Sequence, residues 1–452
     1  MKTYQDLQAA ADKQSFVFSA ISEYKGSNPY RVAQDADAYA KQMNTTIMRY
    51  QKLLYTMSGQ AVPDNFSANH KCASNFFYRF ITQENQFLLS NGVTFTNPET
   101  KKKLGGQMFD IQLQKLGLAA LKGGTSYGFF NFDHVDVFKA TEFCPFWDEE
   151  TGALRAGVRF WRIASDKPLR ATLYEEDGYT DYIQKTSGET YVMHEKRNYK
   201  QIVRHSAIDG TIIVDGGNYH GFPVIPLWGN QEHQSELVGL KSEIDAYDLI
   251  KSGFANDLDD ASMIYWTLEN CGGMDDIDLI KFIEHMKTVR AAVVEGDGAK
   301  AQSHTLEVPY QSRETYLTRL ENDMYHDAMA LDINKISAGN VTATAIRAAY
   351  EPLNNKTDQF EYCICEFIQG LLNLIGVIDT PHFNRSMISN QTEETSMVLS
   401  AKDYLDRETI IKHLPFLSSD EVDALLAKEV TTPPPTTVTT TITQEEDVTD
   451  DE

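Results

Sequence analysis

Residues 231–262 read QEHQSELVGLKSEIDAYDLIKSGFANDLDDAS. Leu237, Leu240, Ile244, Tyr247, Ile250, Phe254 and Leu258 recur at steps of three and four, which predicts one long amphipathic helix. As one helix the stretch would span about 45 Å. Between 231 and 260 it holds eight acids (Glu232, Glu236, Glu243, Asp245, Asp248, Asp257, Asp259, Asp260) against two bases, Lys241 and Lys251. A second stripe, Tyr316, Leu317, Leu320, Met324, Ala328 and Leu331, predicts a helix from Ser312 to about Ile333. The insert between them reads strand Met263–Leu268, helix Ile277–Lys287, strand Thr288–Val294, turn Glu295–Gly298 and strand Ser303–Val308. The frame is thus two long helices around a small mixed module.

Downstream, a short polar segment, Asn334 to Thr344, leads into a third long helix, about Ala345 to Ile375. Pro352 should kink it, because its ring removes a backbone bond and clashes with the preceding turn. Phe383–Ile388 reads as a return strand, and Ser418-Ser419-Asp420-Glu421 as a capping box opening a last small helix. Upstream, the first 60 residues read as helical, with a stripe from Asp35 to Ser58 (Tyr39, Met43, Ile47, Tyr50, Leu53, Leu54, Met57). Further helices are predicted over Ser67–Ser90 and Phe109–Lys122, the latter ended by Gly123-Gly124. From Tyr127 to Trp228 short apolar runs separated by acidic-Gly turns predict antiparallel strands at Tyr127–Asp133, Ala156–Ile163, Leu169–Glu175, Thr180–Gln184, Ile202–Ser206 and Gly210–Asp215. The fold class is α+β. The Thr- and Pro-rich, then acidic tail 429–452 cannot bury enough surface to order itself.

The chain has 452 residues, enough for two or three domains. Its 41 basic and 65 acidic residues leave a net charge of −24. A protein that grips DNA tightly carries a basic face, so contact with DNA here must be loose, local or repulsive. No apolar run is long enough for a membrane span, and no apolar run follows Lys2 as a signal peptide would need. Five scattered cysteines fit reduced thiols better than a disulfide framework.

Several motifs suggest chemistry and carry little. Gly124-Thr125-Ser126-Tyr127-Gly128 fits G-x-S-x-G, but a nucleophile elbow needs strand, turn, helix, and here the order is helix, turn, strand. Cys363-Ile364-Cys365 places its thiols on different sides of a helix and reads as core. Acid pairs such as Asp259-Asp260 and Asp275-Asp276 lack a third ligand, and Glu295–Gly298 is too short for a calcium loop. No catalytic residue, metal site or cofactor is expected. No G-x-x-x-x-G-K-[ST] run occurs, so the chain is not expected to be an ATP-driven motor.

The order of elements resembles the portal (head-to-tail connector) family of tailed bacteriophages, siphophage type from Gram-positive hosts. The stretches carrying the resemblance are Thr45–Lys52, Asn65–Lys71, Pro226–Asn230, Ile244–Leu258 and Thr342–Asn354, within a likeness covering roughly residues 30 to 428. The resemblance implies a wing (1–230), a first stem helix (231–263), a clip (264–308), a second stem helix (309–333) and a tunnel loop (334–344). A kinked long helix with a return to the wing (345–400), a crown (401–428) and the tail complete it. It implies a ring, usually of twelve copies, at a unique capsid vertex, through which double-stranded DNA is packaged and ejected. The implied partners are the large terminase subunit, major capsid and scaffolding proteins and a head-completion adaptor. The implied location is the virion, after assembly in the host cytoplasm, with no membrane.

Asn334, Lys335, Ser337, Gly339, Asn340 and Thr342 would then face DNA, with Lys335 the obvious phosphate contact. From the residues alone, an ordinary interhelical loop remains open. Asp257, Asp259 and Asp260 would line the channel and repel phosphates, over a Debye length of about 8 Å. Two other readings stay in play: a different virion structural protein, such as a capsid or adaptor subunit, and a hydrolase built on Ser126.

Overall fold

The stripe from Asp35 to Ser58 does not make one helix. Helix Asn28–Tyr39 stops in a left-handed turn at Gln42 (φ 58°), where Met43 N–H donates to Ala38 and Gln42 N–H to Tyr39. That double bond is a Schellman closure made without glycine. A single turn, Thr45–Arg49, follows, and then a hairpin, Leu53–Tyr55 paired with Ala61–Pro63. The helix expected over Ser67–Ser90 is likewise shorter: it runs Phe76–Leu89, and 67–75 is neither helix nor strand.

In the computed structural model the described residues are 1–205 (except 57 and 66), 212–261, 265–269, 277, 280, 300–304, 310–337, 342–385, 391–414, 417, 422, 425 and 426. They divide into two units, 1–332 with 350–386, and 333–349 with 387–452. The predicted helix 277–287, turn 295–298, capping box 418–421 and tail 429–452 fall wholly or mostly outside the described residues.

Among the described residues the first unit has three apolar centres. In one, helix Lys13–Gly26 presents Phe16, Val17, Ile21 and Tyr24 to a five-stranded antiparallel meander. Its strands are Phe143–Trp147, Leu154–Trp161, Leu169–Glu175, Gly178–Gln184 and Thr190–Arg197, in sequence order. Phe146, Val158, Phe160 and Leu173 meet the helix from the facing side, in the alternation that a half-buried sheet requires. The second centre is aromatic: Tyr127, Phe138, Phe143, Tyr174 and Tyr199. The third and largest joins helices Phe76–Leu89, Gln107–Gly123, Leu237–Ala261, Tyr310–Asp327 and Ala343–Ile375 around Phe77, Leu116, Ile244, Met324, Phe360 and Phe367. A three-stranded sheet, Val224–Trp228, Thr125–Asn131, His134–Lys139, closes it.

That sheet meets the long helix at Gly128, where an added Cβ would stand 2.5 Å from Phe367 Cζ. Gly128→Ala should therefore lower the unfolding free energy by about 1–3 kcal/mol through overpacking. A urea melt with an unchanged midpoint would refute that close approach.

The two central helices are displaced from their predicted bounds. The first begins at Leu237 rather than near Gln231, because Ser235 Oγ accepts from Leu237 N–H and Asn230 turns the preceding chain through its bonds with Gln234. The second runs Tyr310–Asp327 rather than to Ile333. Met329 stands left-handed (φ 51°), with Ala330 N–H on Tyr325 and Met329 N–H on His326, again a Schellman closure without glycine. Between the helices, Tyr265–Glu269 pairs antiparallel with Lys300–His304, so the first and last strands of the insert close it. The return strand lies earlier than predicted: Pro381–Phe383 pairs with Val93–Phe95.

In the second unit the predicted loop 334–344 is partly helical. Ile333–Ser337 forms a short helix, and the long helix already begins at Ala343. Helices Gln391–Ser400 and Arg407–Lys412 follow, the latter capped by Asp406.

Candidate functional site

Helix Leu237–Ala261 organises the site through two opposite faces. On one, Asp248, Ser252 and Asn256 form an i, i+4, i+8 row, all buried. The extended segment 70–74 lies along that row in the reverse direction. Ser74 N–H donates to Asp248 Oδ1 (2.8 Å), Cys72 N–H to Ser252 Oγ (2.9 Å) and His70 N–H to Asn256 Oδ1 (2.6 Å). Two residues of extended chain advance about 6.6 Å, and four residues of helix about 6.0 Å, so the alternate N–H groups stay in register over three rungs. Side chains here do for the strand what a neighbouring strand would do. Asn44 closes the top rung, donating to Asp248 and to the Ser74 carbonyl (3.1 Å). Burial raises the Asp248 carboxyl above the ordinary aspartate range, against the pull of those donors. One turn earlier Asp245 accepts from Thr46 (2.7 Å), from Lys241 (3.0 Å) and from Tyr39.

The other face meets helix Tyr310–Asp327. Arg313 pairs with Asp257 and lies over the Phe254 ring. Leu240 and Ile244 pack with Met324 and Tyr325 in the common core.

At the base of this pair sits a buried ionic node. Lys356, on the long helix, lies 3.0 Å from Glu84 and 2.7 Å from Glu236, and donates to the Ala328 carbonyl (3.2 Å). One ammonium thus ties the lead into the first central helix, the end of the second, the long helix and helix Phe76–Leu89. Burial pushes the Glu84 carboxyl up to about 7, with Lys356 opposing. The two carboxylates outweigh burial at Lys356 and hold its ammonium above the ordinary lysine range.

The residues singled out from sequence fall as follows. Asn334, Lys335 and Ser337 lie in the short helix Ile333–Ser337. Thr342 lies just before the long helix, its Oγ1 accepting from Ala345 N–H (3.3 Å). Gly339 and Asn340 lie outside the described residues. Asp257 is held by Arg313, and Asp259, which is exposed, pairs with His70 at 2.5 Å. The side chain of Asp260 lies outside the described ones. Most of the helix's acids therefore have partners within the chain, which a count of charges does not reveal.

Ser126 is fully buried and donates its hydroxyl to the Leu116 carbonyl (2.8 Å). Gly124 terminates helix Gln107–Gly123 in the left-handed region (φ 78°) and Gly128 admits Phe367, so the motif is structural and Ser126 is no nucleophile. Cys363 is buried and Cys365 half-buried; burial raises both thiols, the latter to about 11. Among the described residues no group of three or more His, Cys, Asp or Glu side chains could hold a metal ion, and no helix is long and apolar enough to cross a membrane.

Sequence reasoning passed over Glu84 and Lys356. A signal existed: Glu84 stands four residues after Phe80 and three before Phe87, on the apolar face of its helix, where an acid is rare unless paired.

Comparison with known proteins gives a consistent picture. The family model described as phage portal protein, SPP1 Gp6-like, matches residues 23–432. The portal protein of Clostridium phage phiCD119 is 27% identical over 221 residues, 47% of this chain and 49% of that protein. The portal protein of Bacillus phage SPP1 is 24% identical over 415 residues, 85% of this chain and 80% of that one. The chain thus spans about half the length of the first relative and four fifths of the second. A solved chain from the virion of a native gene transfer agent particle matches at 12% identity, over 78% of this chain and 89% of that chain, with a TM-score of 0.41, too low to decide anything.

Proposed function

The chain belongs to the phage portal protein family, SPP1 Gp6-like, and from that premise we propose that it is one copy of a ring at the capsid vertex. Double-stranded DNA passes through that ring during packaging and ejection. The observation that carries the reading is the family match over 23–432, joined to a paired-helix frame with the paired strands Tyr265–Glu269 and Lys300–His304 between its helices. Rings are built from heterologous contacts, and a helix pair with exposed Val238, Leu249 and Leu258 has apolar surface to offer a neighbour.

In this reading helices Leu237–Ala261 and Tyr310–Asp327 form the stem, the paired strands between them belong to the clip, and residues 1–230 form the wing. The long helix runs from the tunnel segment back to the wing, and residues 401–428 form the crown. The partners are further copies of the chain, usually twelve, together with DNA, the large terminase subunit, capsid and scaffolding proteins and a head-completion adaptor. The protein resides in the virion after assembly in the host cytoplasm. Its role is structural rather than catalytic.

The test is negative-stain microscopy of the purified protein. Isolated rings with a central hole are expected; shells or monomers alone would overturn the reading.

Asn334, Lys335, Ser337, Gly339, Asn340 and Thr342 are proposed to meet the DNA, and Asp257, Asp259 and Asp260 to keep phosphates from adhering. Because Asp257 also ties the stem helices through Arg313, the cleaner variant is Asp259→Lys with Asp260→Lys. A several-fold slower rate in an in vitro packaging assay is expected, and an unchanged rate removes the lining role.

A further inference from the structure

The hairpin Leu53–Tyr55/Ala61–Pro63 is exposed on both faces. Leu53 and Leu54 are each 46% exposed, Tyr55 74% and Val62 43%. An isolated two-stranded hairpin is marginal in water, and apolar side chains on both of its faces are unfavourable unless something covers them. The surrounding charge is also unusual. Residues 41–63 carry Lys41, Arg49 and Lys52 and no acid, in a chain whose net charge is −24. Lys41 and Arg49 are exposed.

A surface of matching character lies at the stem base. A groove there is lined by Glu232, Val238, Gly239 and Asp327, with Val238 exposed. Beside it, Glu243 faces Asp327 and Asp323; burial and those like charges raise its carboxyl above the usual range. Its buried Oε2 has no hydrogen-bond partner among the described residues. The groove carries Glu232 and Asp327 beside the exposed Val238, where the hairpin has apolar strands with basic residues just before them.

The two surfaces are separate patches of one copy, with Val238, seven residues before Asp245, within about 20° of it around the helix. Asp245 and Asp248 face the segment 39–74 that leads into and out of the hairpin, whereas Glu243 faces helix Tyr310–Asp327. Glu243 and Asp245 are two residues apart on one helix, about 200° around its axis. A heterologous contact that closes a ring joins two different, complementary patches of one subunit.

We propose that the 53–63 hairpin of one copy seats in the groove around Glu232, Val238 and Asp327 of the next copy. Apolar contact would come from Leu53, Leu54 and Tyr55, and charge contact from Arg49 and Lys41. This rests on the ring reading above. Nucleic acid is the less fitting occupant, because three large apolar side chains would gain little from phosphates.

The experiment uses the full chain with Tyr55→Cys and Val238→Cys together, treated with a short bismaleimide. The single variants control for the native thiols. A ladder of covalent oligomers on a denaturing gel is expected from the double variant alone, and adding Arg49→Glu should weaken it several-fold. Rings in the microscope with no ladder, or a ladder unmoved by Arg49→Glu, overturn the hairpin contact while the ring reading stands. So does a variant that lacks the ladder and whose Arg49→Glu form loses DNA retention, since the hairpin then serves nucleic acid. Absence of rings in the unmodified protein overturns both.

Discussion

Replacing Lys356 by methionine should lower the unfolding free energy by about 3–5 kcal/mol, because it leaves two buried carboxylates facing each other without their cation. Glu84 and Glu236 lie 3.0 and 2.7 Å from the lost ammonium, and the Ala328 carbonyl loses a donor as well. The loss should depend on pH. Glu84 titrates near 7 in the folded protein against 4.5 for an ordinary glutamate, so the native state holds its proton across that interval while the unfolded chain has released it. Its contribution to stability is therefore full below about pH 4.5 and disappears as pH rises through about 7. In Lys356→Met the proton relieves the repulsion, so the variant should suffer less at pH 5.5 than at pH 8. Urea melts of wild type, Lys356→Met and Lys356→Met/Glu84→Gln at the two values check this. An equal loss at both pH values in the single variant would show that the node is not titrating. The consequence reaches both central helices, since this ammonium bonds Glu236 just before Leu237–Ala261 and the Ala328 carbonyl just after Tyr310–Asp327.

Asp248→Ala should be nearly as damaging, at about 2–4 kcal/mol. It removes the acceptor for the Ser74 N–H, which is left buried without a partner, and one of the two acceptors of the Asn44 amide, which keeps only the Ser74 carbonyl. Asp248→Asn should fall between, since its carbonyl oxygen still accepts from Ser74 while its amide opposes that of Asn44. The local signature is amide exchange. The N–H groups of Cys72 and Ser74 should exchange much faster in Asp248→Ala, while those of the meander Phe143–Arg197 stay protected. If protection at 72 and 74 survived, the strand-on-helix ladder would not be what holds the segment.

Much of this architecture is legible in the residues. The stripe from Leu237 to Leu258, the third helix ending at Gly123-Gly124, the strand Leu169–Glu175 and the strand read at Thr180–Gln184, two residues longer in the structure, follow directly from spacing and turn chemistry. Two helix ends do not. Those at Gln42 and Met329 use the left-handed closure that glycine normally marks, with side chains that give no warning. At Gly376 the same closure carries its usual residue, and there the end agrees with the sequence reading at Ile375. The polar run 67–75 is not helical as its residues suggest, because the partners of His70, Cys72 and Ser74 lie about 180 residues away on another element.

What the sequence determined by itself is the order of elements and the family, because period, turn residues and motif order are local properties of the chain. Only the tertiary structure decided what each charge does. Six of the acids around the first central helix turn out to face Lys356, Asp327, Lys241, Ser74, Arg313 and His70. A carboxylate's effect depends on the dielectric and the donors that folding brings to it, and apart from Lys241, one turn before Asp245, none of these neighbours lies in the carboxylate's own stretch of sequence.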